Sequence, residues 1–250
     1  MGMLEGKVAI VTGAGQGIGE AAALLFAKEG AKVVVAEISA ETGQRTADTI
    51  KAAGGQAVFV QTDVSQEDQI KRMVDTAIKT FGRLDCAFNN AGFGNDMKPT
   101  AELDPSNWDK VHSVVLRGVF LSMKHEIPAM LKSGGGTIVN TASNAGLRAV
   151  PTQSAYSAAK AGVIGLSRTT AIEYATQGIR VNTICPGLIR TPIIVKFEKE
   201  GVDWSKTTPL PMGRAGEPIE IAETALWLLS PRSSFVTAQV LSVDGGGTAM

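Results

Sequence analysis

Cysteine is scarce in this chain. The 250 residues include two, Cys86 and Cys185, each inside an apolar stretch. A disulfide-stapled scaffold needs more, so both thiols are expected to pack as small buried hydrophobes. Histidine is as rare, with only His112 and His125, and the His and Cys spacing suggests no metal ligand set. Neither sign of charge dominates: 24 Lys plus Arg stand against 24 Asp plus Glu. Without a basic run, nucleic acid is not an expected partner. Long apolar runs are missing too. The first, Val8 to Val11, is too short for a signal-peptide core. Nothing approaches the roughly 20 residues of a membrane span. A cytoplasmic protein is expected.

What remains is ordinary for a soluble globular protein, with 44% apolar and 19% charged residues. Short β-branched runs alternate with longer helical patterns. Lys7 to Thr12, Lys32 to Glu37, Ala57 to Gln61, Leu84 to Phe88, Gly136 to Thr141, Arg180 to Ile184 and Val240 to Val243 read as strands. Between them Gly17 to Glu29, Ala40 to Ala53, Glu67 to Phe81, Pro105 to Leu131, Ser154 to Thr176 and Pro218 to Leu229 read as helices. Gly30, Gly54 and Gly82 close three of them. The alternation predicts βαβ units in an α/β fold: one doubly wound parallel sheet in a single domain over 1–250. Pro186 to Gly216 reads as irregular, rich in Pro and Gly, and residues 187–216 are the expected substrate loop.

The first strand runs into Thr12-Gly13-Ala14-Gly15-Gln16-Gly17-Ile18-Gly19, and a helix follows. Glycines let backbone approach a pyrophosphate closely, and a helix N-terminus offers unpaired N–H groups and a positive dipole end. Glu37 ends the second strand, 20 positions after Gly17. A carboxylate there accepts bonds from ribose hydroxyls and repels a 2′-phosphate. No Arg or Lys lies near Gln16 or directly after Glu37 in the sequence to offset that repulsion, so NAD(H) is expected over NADP(H).

Tyr156 and Lys160 are four apart on a helix and share a face. An adjacent ammonium favours the phenolate, and a Tyr tuned toward neutrality can pass a proton to or from a substrate oxygen. Ser143 follows the strand Gly136 to Thr141 and precedes Tyr156 by 13 positions. The C-terminal ends of parallel strands are where ligands bind, so a hydroxyl there can hold a substrate oxygen beside the phenol.

Together these residues resemble the short-chain dehydrogenase/reductase family over essentially the whole chain. The resemblance is carried by Thr12 to Gly19, Asp63, Asn89-Asn90-Ala91-Gly92, Ser143, Tyr156, Lys160, and Pro186-Gly187 with Thr191. It implies that Asp63, with Val64 beside it, meets the adenine. It also implies that Asn90, Ala91 and Gly92 line the cofactor, that Asn89 ties neighbouring strands, and that Ile189 and Thr191 hold the nicotinamide carboxamide. Lys160 would bind the nicotinamide ribose. Strand order 3-2-1-4-5-6-7, pro-S transfer and a homotetramer are implied as well.

One position departs from the family. An Asn is usual in the helix between the fourth and fifth strands, where its main chain bends the helix and holds a water linking the Lys to solvent. Here that position is Val115. A weakened proton relay is expected, with cofactor binding intact; His112, one turn earlier, is a candidate substitute. Asn144, Leu147, Pro151 and Gln153, with Leu188, Ile193, Ile194, Phe197 and Trp204, would form a mostly apolar pocket. A neutral secondary alcohol, cyclic diol or ketone is the expected substrate. A 3-oxoacyl thioester reductase and a non-catalytic NAD(H)-binding scaffold are the alternatives. The helices around Val111 to Met123 and Ala155 to Leu166 are apolar on more than one side, as a shared interface requires.

Overall fold

Seven strands pair in parallel into one sheet: β1 (Val8–Thr12), β2 (Lys32–Glu37), β3 (Gln56–Gln61), β4 (Cys86–Asn89), β5 (Gly136–Thr141), β6 (Ile179–Pro186) and β7 (Val240–Val243). Their order is 3-2-1-4-5-6-7, as the resemblance implies. The computed structural model describes residues 2–94, 96–201, 208 and 210–250. Helices α1 (Gly17–Lys28), α2 (Ala40–Ala52) and α3 (Glu67–Phe81) link the first strands. They are followed by α4 (Pro105–Val115), α5 (Arg117–Lys132), α6 (Ser154–Tyr174), α7 (Pro192–Lys199) and α8 (Pro218–Leu229).

Alternation along each strand sends side chains to two cores. Val8, Ile10, Val34, Val60 and Ile138 pack with Met73 of α3, Leu121 of α5 and Val163 of α6. Ala9, Val11, Val33, Val35 and Val139 pack with Phe26 of α1 and Leu226 of α8. Both faces are covered, which is why the strands read as nearly continuous apolar runs. Ser39 caps α2 by accepting from Thr42 N at 3.4 Å. Gly82 ends α3 in the left-handed region at φ 82°, where a side chain is strained.

Two expectations are corrected. The stretch Pro105 to Leu131 is not one helix: it breaks at Leu116, with φ −105° and ψ −56°. Tertiary packing selects the break. Leu116 sits where a Cβ on Gly162 of α6 would lie 2.9 Å from its Cδ2, and Gly118 seats its backbone on Val64, 3.0 Å from an added Cβ. Nor is Pro186 to Gly216 wholly irregular, because it carries α7. Pro192 is the first residue of that helix, the position that suits its fixed φ and missing N–H.

Candidate active site

The strand order reverses between β1 and β4, opening a crevice at their C-terminal ends. Thr12 ties the two ends. Its Oγ1 accepts from Asn90 N at 2.9 Å and Ala91 N at 3.1 Å, and its carbonyl accepts from Asn90 Nδ2 at 3.3 Å. The turn that follows leaves no room for side chains. Gly13 and Gly17 have φ 64° and 57°. A Cβ on Gly13 would stand 3.0 Å from Ala91 Cα, one on Gly17 would stand 3.2 Å from Thr191 Cγ2, and one on Gly19 would collide with the Gly13 carbonyl. Gln16 precedes α1 in extended conformation and makes no side-chain cap, so its side chain leaves the first N–H groups of the helix to other partners. Ile18 packs inward against the α1 core. Crowded backbone and a helix N-terminus without a side-chain cap fit the pyrophosphate of a dinucleotide.

Around this turn stand the other expected cofactor residues. Asp63 follows β3, and its Oδ1 accepts from Ser65 N at 2.9 Å and Ser65 Oγ at 2.7 Å. Val64 is buried beneath Gly118. Pro186 ends β6, Gly187 N donates to Val243 O at 3.1 Å, and Ile189 bridges to Gly216. Asn89 donates Nδ2 to Asn140 Oδ1 at 3.0 Å, joining β4 to β5 as the resemblance implies.

Glu37 is buried at the end of β2. Its Oε2 accepts from Gly15 N at 2.9 Å, and its Oε1 accepts from Ile38 N at 2.9 Å and Ser39 N at 3.2 Å. A carboxylate has about four lone-pair sites, so acceptor capacity remains for a ribose hydroxyl. A cation distant in sequence does stand near the turn. Arg45 of α2 donates Nη2 to the Gly15 carbonyl at 2.8 Å and to Glu20 Oε1 at 3.0 Å. It is 30 positions from Gly15 in the chain, so only the fold of α2 onto β2 reveals it.

On the other side of the crevice, α6 presents Tyr156 and Lys160 toward the end of β5. The Tyr156 and Ser143 hydroxyls are hydrogen bonded. Ser143 Oγ also accepts from Ala145 N at 3.1 Å and donates to Asn144 Oδ1 at 3.2 Å. Lys160 is buried, donates Nζ to the Thr141 carbonyl at 2.6 Å, and lies 5.5 Å from the Tyr156 ring centroid. Burial pushes its ammonium down to about 8. The phenol behaves opposite to expectation. Burial pushes Tyr156 above its usual range, with the Ser143 bond opposing. The lysine ammonium is anchored on the Thr141 carbonyl.

Val115 is fully buried with Val111, Ala155 and Ala159, against Phe93, Leu103 and Tyr156. A Cβ on Gly92 would stand 3.6 Å from Lys160 Nζ and 3.7 Å from Val115 Cγ2. Gly92 thus lies close to both the lysine and the valine. The helix still breaks after Val115, without an Asn. The His112 ring stacks on Trp108 at 4.2 Å and its Nδ1 is 3.0 Å from the Trp108 carbonyl.

Of the expected pocket, Asn144, Gln153 and Leu188 are half-buried near these groups, while Leu147 and Ile193 are exposed. The Phe197 side chain and Trp204 lie outside the described residues. Met97 was not anticipated. It is 61% exposed, and Gln153 Nε2 and Thr152 Oγ1 approach its Sδ at 3.6 and 3.9 Å. It falls in a stretch without periodicity, so nothing in the sequence marked it.

A family model described as enoyl-(acyl carrier protein) reductase matches residues 13–248. Cyclohexanol dehydrogenase of Acinetobacter sp. (strain SE19) is 46% identical over 243 residues, 97% of this chain and 95% of that one. The crystal structure of levodione reductase is 38% identical with a TM-score of 0.92, covering 98% of this chain and 99% of its own. Carveol dehydrogenase from Mycobacterium avium, in complex with NAD, is 30% identical with a TM-score of 0.93, covering all of both chains. With the same fold and full-length similarity, this chain is an oxidoreductase belonging to the short-chain dehydrogenase/reductase family.

Proposed function

We propose that the chain is an NAD-dependent dehydrogenase and carbonyl reductase for cyclic secondary alcohols and their ketones. The observation that carries this reading is the bonded pair of hydroxyls, Ser143 and Tyr156, at the C-terminal edge of the sheet beside the glycine turn. Gly13, Gln16, Gly17 and the α1 N-terminus hold the pyrophosphate, Glu37 the adenosine ribose, Asp63 the adenine, Asn90 to Gly92 the floor, and Ile189 with Thr191 the carboxamide. When bound, NAD(H) would supply the hydride acceptor for oxidation of the carbinol carbon and the hydride donor for reduction of the carbonyl. Ser143 holds the substrate oxygen. Tyr156 gives that oxygen a proton in reduction and takes one in oxidation. Lys160 spends one of its three N–H donors on Thr141, leaving two for the nicotinamide ribose and the proton path.

The names of the relatives support the ring-shaped substrate, since cyclohexanol is the printed substrate of one of them. The half-buried Leu188 and the exposed Leu147 and Ile193 support an apolar pocket, with residues 187–216 as its loop. No helix among the described residues is long and apolar enough to cross a membrane. We assign the protein to the cytoplasm as a homotetramer. Exposed Trp108, Phe120 and Ile172 on α4, α5 and α6 are the apolar surface for that assembly, and a monomer on size-exclusion chromatography would remove it.

The test is absorbance of NADH and NADPH against cyclic ketones, cyclic diols, linear ketones and 3-oxoacyl thioesters. Turnover of NADH with a cyclic ketone is expected. Turnover confined to thioesters with NADPH would transfer the assignment to the second reading, a 3-oxoacyl thioester reductase, favoured by the 40% identity to a 3-oxoacyl-(acyl-carrier-protein) reductase of Thermotoga maritima. NADH binding without turnover would favour a scaffold, for which Val115 is the observation. Replacing Val115 with Asn is expected to raise kcat about tenfold, a fraction of what proton transfer contributes, with unchanged NADH affinity. A kcat no higher than wild type would dismiss the weakened relay.

A further inference from the structure

Among the described residues, Glu126 of α5 is fully enclosed, at 0% exposure. Its Oε2 accepts from Asn89 Nδ2 at 3.0 Å, and its Oε1 has no partner. Asn89 gives the same Nδ2 to Asn140 Oδ1 at 3.0 Å, while its own Oδ1 is buried without a partner. Asn140 passes the chain on, from Nδ2 to Ser167 Oγ at 2.9 Å and Met123 Sδ at 3.3 Å. Ser167 closes it on the Val163 carbonyl at 2.6 Å. Two side-chain atoms of this network are left over. Both are acceptors, and they belong to the two groups already bonded to each other. A swapped Asn89 amide would not help, because Nδ2 already faces two acceptors.

A buried acceptor without a donor is costly. One proton removes both costs. Carboxyl and primary amide are planar forks, so a bond between one pair of tips brings the other pair within reach. We propose that Glu126 is carried as the neutral acid, its proton joining Oε1 to Asn89 Oδ1. The resulting acid–amide ring is a positioning element for the cofactor ends of β4 and β5. Charge around the group agrees. Its hydrogen-bond partner Asn89 is neutral, as are Asn140 and Ser167 further along the network. The nearby charges Lys124 and His125 on α5 are engaged with Glu67 of α3, at 2.6 and 3.1 Å. Burial pushes the Glu126 carboxyl up to about 7, with the Asn89 bond opposing.

The sign of the pH dependence follows. The folded-state value lies above the ordinary 4.5, so between the two the folded protein binds the extra proton. Stability falls as pH rises through that window and is flat above it. Position connects the ring to the site. Asn89 immediately precedes Asn90, which bonds Thr12. Asn140 immediately precedes Thr141, which holds Lys160. Loss of the proton is therefore felt as weaker NADH binding more than slower chemistry. This half rests on the proposed cofactor site, whereas the protonation does not.

The experiment compares wild type with Glu126→Gln, whose amide completes the same ring without a titrating proton. Infrared difference spectra are expected to show a protonated-carboxylic-acid band in wild type at mildly acidic pH that the Gln variant lacks. In urea unfolding, the ratio of wild-type to variant folding constants is expected to fall by about two orders of magnitude between about pH 5 and pH 8. The wild-type NADH dissociation constant, by fluorescence, should rise several-fold more over that range than the variant's, which retains only the Lys160 titration common to both. Glu126→Ala, which cannot form the ring, should be weakened at every pH. Absence of the band, or a variant that tracks wild type across pH, would overturn the neutral acid. A confirmed band with identical NADH curves would overturn its positioning role. Failure of both proteins to bind NADH would instead count against the dehydrogenase reading.

Discussion

Replacing Tyr156 with Phe is expected to lower kcat by about 10²–10⁴-fold, the range a positioned acid or base contributes, while NADH affinity changes little. The ring packs against Val111, Val115, Ala155 and Ala159, and Phe keeps those contacts. Only the hydroxyl that meets Ser143 is lost. Fluorescence titration with NADH separates an intact cradle from a collapsed one, and steady-state absorbance gives kcat. Because burial raises the phenol, the free enzyme holds its proton at neutral pH, the form that reduction needs. Oxidation must first remove that proton, so the oxidation rate should climb with pH while the reduction rate does not. A Phe variant with more than about a tenth of wild-type turnover would take Tyr156 out of the proton transfer, since the contribution would then fall below the expected range.

The parts visible in the sequence are those whose physics is local or whose spacing is dictated by chemistry. β1 to β7 were readable because burial on both faces leaves continuous β-branched runs, as in Val33-Val34-Val35. The Gly13 to Gly19 turn was readable because glycine best tolerates the positive φ of Gly13 and Gly17 and the close backbone approach at Gly19. Ser143, Tyr156 and Lys160 declared themselves by spacing, and the structure brings them together. The break at Leu116 did not, since it is selected by Gly162 on another helix. Arg45 was hidden because its contact with Gly15 exists only once α2 lies against β2. Helix α7 was masked by the Pro and Gly around it. The acid–amide contact of Glu126 with Asn89 spans 37 positions and sits in an apolar helix whose pattern gives it no signal.

Glu37 controls the second large effect. Replacing it with Ser is expected to shift the ratio of NADPH to NADH affinity toward NADPH by about 10²-fold. Two unit charges about 6 Å apart at an effective dielectric near 20 repel by roughly 2–3 kcal/mol, and each 1.4 kcal/mol is tenfold in affinity. The carboxylate also binds the Gly15, Ile38 and Ser39 amides, so the variant loses some order in the turn and some NADH affinity with it. The gain for NADPH has a second source. Arg45 is already at the Gly15 carbonyl, and with Glu37 gone its guanidinium meets a 2′-phosphate without a competing carboxylate beside it. Adding Arg45→Ala to the Ser variant should therefore cancel part of the NADPH gain and leave NADH affinity nearly as it was. Calorimetric dissociation constants for both dinucleotides, with thermal midpoints to exclude unfolding, decide the matter. An unchanged ratio in Glu37→Ser would mean that selectivity is set elsewhere along the ribose. A shifted ratio that ignores Arg45 would leave repulsion by Glu37 as its sole cause.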